Sequence, residues 1–169
     1  MATYLVLEDG TGITGANSYS TVDEFQTYIT ERGLSVAASS DHDYMENLLI
    51  KAADYLQKFR AKYKGDKSSS TQGLAWPRTN VYIDGFAISG IPTELKYAQL
   101  QLAYDADSTD LQPTIAAQDK GNITKEKLGP LEKTYDNSGS RRSTPAFSKA
   151  QTLITPLLNN GGLAVLTRS

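Results

Sequence analysis

Asp41-His-Asp-Tyr-Met-Glu-Asn-Leu-Leu-Ile-Lys-Ala-Ala-Asp-Tyr-Leu-Gln-Lys-Phe59 is the most strongly periodic stretch of the chain. Leu48, Leu49, Ala52, Tyr55, Leu56 and Phe59 recur three or four residues apart, which places them on one face of an α-helix. Ser40 to Asp43 supply the start signal, and the pattern predicts a helix to about Tyr63. Upstream, Thr21 and Glu24 form a capping box, and Val22, Phe25, Tyr28 and Ile29 mark a first helix that Gly33 stops. Downstream, Pro92 suits a first helical turn, followed by Leu95, Ala98, Leu102 and Ala103 to about Tyr104. A last helix is predicted from Ala146 to Leu158 with Phe147, Ala150, Leu153, Ile154 and Leu157 inward, shortened or kinked by Pro156.

Between these elements lie extended pieces. Thr3 to Leu7 reads as a short strand, and Arg78 to Ile88 as a short hairpin or irregular crossing around Gly85. The expected fold is mainly α: a bundle of about four helices with a short N-terminal strand, an extended Trp-containing crossing and a long irregular or β-hairpin arm before the last helix. With 169 residues, a single domain over 1–169 is expected, with the arm at 105–145 and a tail at 159–169. Such a long aperiodic stretch within a domain is usually functional or mobile.

Seventeen basic against nineteen acidic residues give a net charge of −2, which supplies no global field for gathering nucleic acid. The chain contains no cysteine, which excludes disulfides and thiolate zinc sites and suits synthesis in a reducing cytoplasm. The N-terminus has no basic leader, and no segment approaches the roughly 20 apolar residues of a membrane span.

Gly10-Thr-Gly-Ile-Thr-Gly15 matches the letters of the dinucleotide fingerprint. That chemistry needs a helix opening inside the motif, whereas the first helix starts only near Thr21, so the motif reads as a turn-forming loop. His42, the lone histidine, lies between Asp41 and Asp43; adjacent helical residues diverge, and acids at a helix start are favoured by its dipole, so a structural role is expected. Asp105, Asp107 and Asp110 lack the glycine and glutamate of a calcium loop and read as a solvated loop after a helix. Lys58, Arg60, Lys62, Lys64 and Lys67 alternate with Phe59 and Tyr63, a mixture able to grip single-stranded nucleic acid through phosphates and stacked bases. Phe59 belongs to the buried stripe, however, and cations are favoured near a helix C-terminus, so a solvated face is the simpler reading. One histidine and no Gly-Lys-Ser/Thr loop leave no catalytic, cofactor or metal residues to name, and no enzyme is expected.

Two further segments are distinctive. Gln72-Gly-Leu-Ala-Trp-Pro-Arg78 holds the only tryptophan, and Leu74, Trp76, Pro77 and Arg78 are expected to anchor it against the preceding helix, with a partner for the indole N–H. Ile123-Thr-Lys-Glu-Lys-Leu-Gly-Pro-Leu-Glu-Lys-Thr-Tyr135 has alternating character and a sharp bend at Gly129-Pro130. Ile123, Leu128, Gly129, Pro130, Leu131 and Tyr135 suit an arm that adds to a neighbour's sheet or groove; an internal hairpin on its own domain fits the same pattern.

In order and spacing, the glycine-rich start with Ala16-Asn-Ser-Tyr19, Leu49-Ile-Lys-Ala-Ala-Asp-Tyr-Leu56, Leu74-Ala-Trp-Pro-Arg78, Ile91-Pro92 and Leu128-Gly-Pro-Leu131 make the chain resemble a phage family. That family is the head-to-tail connector adaptors of tailed phages, which also carry a label for distant likeness to DnaT-like, primosomal single-stranded-DNA-binding proteins. The resemblance implies a non-enzymatic virion protein, made in the host cytoplasm and assembled as a homo-oligomeric ring, usually dodecameric. Its implied partners are the portal above and a stopper, tail terminator or other tail component below. Duplex DNA would pass through the lumen without specific binding. The rival reading is a DnaT-like replication accessory that holds single-stranded DNA through Lys58, Arg60, Lys62, Lys64 and Lys67.

Overall fold

The computed structural model describes residues 4–113, 125–128, 131–134 and 147–159. Helix α1 (Val22–Glu31) starts at the capping box read from the sequence. The Glu24 N–H donates to Thr21 Oγ1 at 3.1 Å, and the Thr21 N–H donates to the Glu24 carboxylate at 2.8 Å. Helix α2 (His42–Gln57) is capped by Asp41, whose carboxylate accepts the Tyr44 N–H at 3.2 Å. The regular helix ends at Gln57 rather than near Tyr63, and Arg60–Lys62 form a tighter 3-10 turn. That turn swings Tyr63 inward, where its hydroxyl donates to the Leu56 carbonyl at 3.2 Å.

Pro92 precedes helix α3 (Thr93–Ser108), which packs against α2, against α1 and against α4 (Ser148–Ile154). A helix enclosed by three others must be buried on more than one side, and the expected stripe of Leu95, Ala98, Leu102 and Ala103 is widened by Gln99, Leu100 and Gln101. The two glutamines remain inside because each is bonded. Gln99 accepts the Tyr19 N–H at 2.9 Å and donates to Ser18 Oγ and the Leu49 carbonyl. Gln101 accepts the Tyr28 hydroxyl at 3.0 Å. Helix α3 also runs past Tyr104, since Asp107 in its last turn accepts both the Tyr44 hydroxyl at 2.6 Å and the Ala37 N–H. After α4, Pro156 sits in a 3-10 turn (Thr155–Leu157), and Phe147, Ala150, Ile154 and Leu157 are buried.

The described strands pair as three short antiparallel ribbons. Strand β1 (Asp66–Lys67) pairs with β2 (Arg78–Thr79), and β3 (Val81–Ile83) with β4 (Phe86–Ile88). Strand β5 (Lys125–Leu128) pairs with β6 (Leu131–Thr134), setting Leu128 opposite Leu131. Asp84 and Gly85 between β3 and β4 have φ of 51° and 85°, the doubly left-handed geometry of a type I′ turn. The chain is mainly α, a small four-helix bundle among the described residues, with strands confined to these ribbons.

Among the described residues, the expected N-terminal strand shrinks to a single bridge between Leu7 and Ser18. Its partner segment curls at once, with Ser18 Oγ donating to the Ser20 carbonyl, so the ladder has nowhere to extend. The chain divides into two units, residues 1–111 with 147–169 and residues 112–146. Asp105 to Ser108 fall in α3 of the first unit; β5 and β6 fall in the second. Ala146, the tail from residue 160 onward and the arm residues Ile123, Gly129, Pro130 and Tyr135 lie outside the described residues.

Burial pushes the Tyr19 and Tyr63 phenols well above a phenol's usual range. The unfolded chain therefore gives up these protons first, near the ordinary value of about 10. Their contribution to stability is complete below that pH and is lost as pH rises above it. Thermal unfolding followed between about pH 8 and about pH 11 is expected to show a falling midpoint at the alkaline end, and Tyr63→Phe is expected to flatten that fall.

Candidate functional site

Leu74, Trp76, Pro77 and Arg78, singled out as an anchor, are all buried. Trp76 stands edge-on to Tyr63, with ring centroids 5.9 Å apart, and its main-chain N–H donates to the Tyr19 hydroxyl at 3.3 Å. The expected partner for the indole N–H is not there: Nε1 is buried without a hydrogen bond among the described residues. An unbonded buried donor costs about 1–3 kcal/mol. Burying about 200 Å² of indole at about 25 cal/mol per Å² returns about 5 kcal/mol, so sinking the ring completely wins.

Arg78 donates from Nε to the Lys64 carbonyl at 2.7 Å and from Nη1 to the Ala75 carbonyl at 3.3 Å. Its Nη2 reaches the carbonyls of Gly65 at 2.5 Å and Tyr63 at 3.5 Å. Gln72 holds the other end of the segment, donating to the Leu74 and Pro77 carbonyls and accepting the Ser69 N–H. A Cβ at Gly73 would lie 2.6 Å from the Ala16 carbonyl oxygen, so the tryptophan segment and the Ala16-Asn-Ser-Tyr19 segment meet backbone to backbone.

The glycine loop does bind an anion, one of its own. Glu8 is 1% exposed, and its carboxylate accepts the N–H groups of Gly10 (2.9 Å), Gly12 (2.8 Å) and Ile13 (2.8 Å). Convergent main-chain donors of this kind make a nest, and here they are already engaged by a side chain. Glu8 was not singled out from the sequence; the available signal was a carboxylate immediately before a glycine-rich turn.

The ligating atoms of His42, Asp43 and Glu46 lie within 4.8 Å of one another, a grouping able in principle to hold a metal. Glu46 joins through the i,i+4 spacing that the sequence reading did not use. It is fully buried, with one oxygen accepting the Tyr4 N–H at 3.0 Å and the other 3.3 Å from His42 Nδ1. Asp41 is committed to the helix cap. The solvated-loop reading of Asp105 and Asp107 is corrected: both lie in α3, where burial raises the Asp105 carboxyl and Gln101 donates to it.

The basic cluster is spread out by the fold. Lys58 Nζ lies 3.8 Å from the Tyr55 ring centroid, and Lys67 Nζ donates to the Gln72 carbonyl at 3.1 Å. Arg60 and Lys62 are exposed in the 3-10 turn, Lys64 is half-buried, and the aromatic members turn inward, Tyr63 buried and Phe59 packed against the core. No row of exposed rings alternates with these cations.

Exposed rings occur elsewhere. Tyr82 and Phe86, on β3 and β4, are 63% and 74% exposed and point to opposite faces of the hairpin, since Phe86 pairs with Ile83 and Tyr82 with Ala87. A cleft of about 520 Å³ opens between α1, α3 and α4, lined by Tyr28, Arg32, Leu34, Tyr97, Lys149 and Leu153 among others. The Arg32 guanidinium lies 3.8 Å from the Tyr28 ring centroid and 5.5 Å from that of Tyr97, and meets Glu31 at 3.5 Å.

This architecture defines a small helical protein whose distinctive surface is a hairpin with exposed aromatic rings and a cation-lined aromatic cleft. Over residues 3–169 the sequence matches the family described as "putative DnaT-like ssDNA binding protein", and the chain belongs to that family. The wording describes a binding protein rather than an enzyme. No curated protein and no solved structure matches the chain.

Arg78→Lys keeps the charge but loses the planar fork. The substitution is expected to cost about 3 kcal/mol, read as a lower urea midpoint in equilibrium unfolding.

Proposed function

We propose that this protein is a head-to-tail connector adaptor, forming a ring below a phage portal, around the DNA exit channel, and offering a platform to the next connector or tail protein. The observation that carries this reading is where adhesive surface is spent. The cations suspected of gripping DNA are dispersed, with Lys58 over Tyr55 and Lys67 bonded to a main-chain carbonyl. The most exposed aromatic rings among the described residues instead stand on a hairpin, a form suited to protein contact. A net charge of −2 suits a lumen through which DNA must slide without being held. The motif order shared with connector adaptors supports the same assignment.

The family description favours a second reading, single-stranded-DNA binding, for which Arg60 and Lys62 are the exposed candidates in the 3-10 turn. The two readings separate on one bench. The adaptor reading expects the purified chain to attach to isolated portal rings, visible as an added collar in negative stain. It also expects no retention of single-stranded oligonucleotide at about 150 mM salt. Oligonucleotide affinity that falls steeply with salt and disappears in Arg60→Ala/Lys62→Ala, without portal attachment, would replace the adaptor reading with the second.

A further inference from the structure

We infer that the β3–β4 hairpin of one copy seats in the α1–α3–α4 cleft of a second copy, and that this head-to-tail contact is what repeats around the ring. The inference rests on the ring reading above and names its interface. Three observations carry it.

The hairpin has the form of a wedge. Its type I′ turn at Asp84-Gly85 holds the two strands in a fixed relation, and an exposed ring projects from each face, Tyr82 on one and Phe86 on the other. What the fold leaves open is the turn end of the hairpin, with Tyr82, Asp84 and Phe86 exposed around it. Val81 is 1% exposed and Ile83, beside the turn, 8% exposed, so β3 is held along its length by its own core while Phe86, Tyr82 and the turn stay outside it.

The cleft offers complementary walls. Tyr97 presents open ring surface on one side, backed by the buried Tyr28 ring 6.0 Å away under the Arg32 guanidinium, and Leu34 and Leu153 supply aliphatic surface. Tyr97 is 42% exposed, one of the few large apolar side chains left open among the described residues. Aromatic anchors entering a ring-lined pocket are the usual core of a protein interface.

Charge selects the occupant. The charged side chains lining the cleft are both cations, Arg32, which also meets Glu31 at 3.5 Å, and Lys149, which Asp105 faces; the charged residue at the exposed tip of the hairpin is Asp84. The complementary pieces share no residue, so both are presented by every copy. A surface that fits a different surface of an identical chain makes a heterologous contact, which closes into a ring when the rotation permits.

The absence of native cysteine makes the test direct. Full-length Ala87→Cys protein, which keeps both rings, is mixed with full-length Thr152→Cys protein, both positions being exposed, and treated with a short bis-maleimide at the highest soluble concentration. A parallel mixture pairs Ala87→Cys with Asn47→Cys, on an exposed position of α2 outside the cleft. The expected result is a two-chain product in the first mixture well above the second, reduced severalfold when the Ala87→Cys chain also carries Asp84→Asn, which removes the charge and tolerates the left-handed turn position. Equal yields in the two mixtures, or a product indifferent to Asp84→Asn, overturn the contact. Circular dichroism of each variant confirms that the exposed substitutions leave the fold intact. Portal attachment by the unmodified chain is measured alongside. Attachment without the specific product removes this contact and leaves the collar, whereas the product without attachment keeps the contact and removes the collar.

Discussion

A guanidinium set among main-chain carbonyls organises the middle of this chain. By taking the carbonyls of Tyr63, Lys64, Gly65 and Ala75, Arg78 joins the end of the α2 region to the tryptophan segment through polar bonds, beside the edge-on contact of Tyr63 with Trp76. Three of those carbonyls, of Tyr63, Lys64 and Gly65, follow directly on the Arg60–Lys62 turn, past the end of helical geometry, and the fourth lies in the tryptophan segment. Next to it, Gly65 has a φ of 66°, and a Cβ there would come within 2.1 Å of the Thr79 carbonyl oxygen, so the two strands approach as closely as bare backbone allows. The β3–β4 hairpin departs from this junction at Val81, which makes the position of its exposed rings a consequence of the arginine below them.

Buried polar side chains repeat this pattern through the first unit. Glu8 gathers three N–H groups of the glycine loop, Gln72 two carbonyls and an N–H, and Gln99 links the Ser18–Tyr19 segment and α2 to α3. Each is fully committed inside a low-dielectric interior, where a bonded polar group specifies one arrangement and an unbonded one is costly. The helices supply the apolar burial; these side chains decide how the irregular connections lie against them.

The helices were legible because periodicity and caps are local signals. The Thr21/Glu24 box, the Leu48-to-Phe59 face and the Pro92 start all correspond to observed elements, and Lys125–Leu128 and Leu131–Thr134 form two paired strands. What was not legible depended on tertiary partners. The extension of α3 to Ser108 rests on Asp107 meeting Tyr44 and Ala37, residues far away in sequence. The inward turn of Tyr63, the bare indole N–H of Trp76 and the loop bonded to Glu8 are likewise outcomes of packing. The cleft was hidden for the same reason: Tyr28, Tyr97 and Lys149 come from three helices, and no local pattern brings them together.

The adjacency of α3 and α4 has a consequence for the stretch of chain between them. Because the two helices pack directly on each other, the ends of the intervening segment are anchored by the bundle itself. Doubling the length of a flexible connection between fixed points adds only about 0.6 kcal/mol of closure entropy. The bundle thus works as a socket: a change in the length of the connection between its third and fourth helices adds little to the closure cost borne by the host.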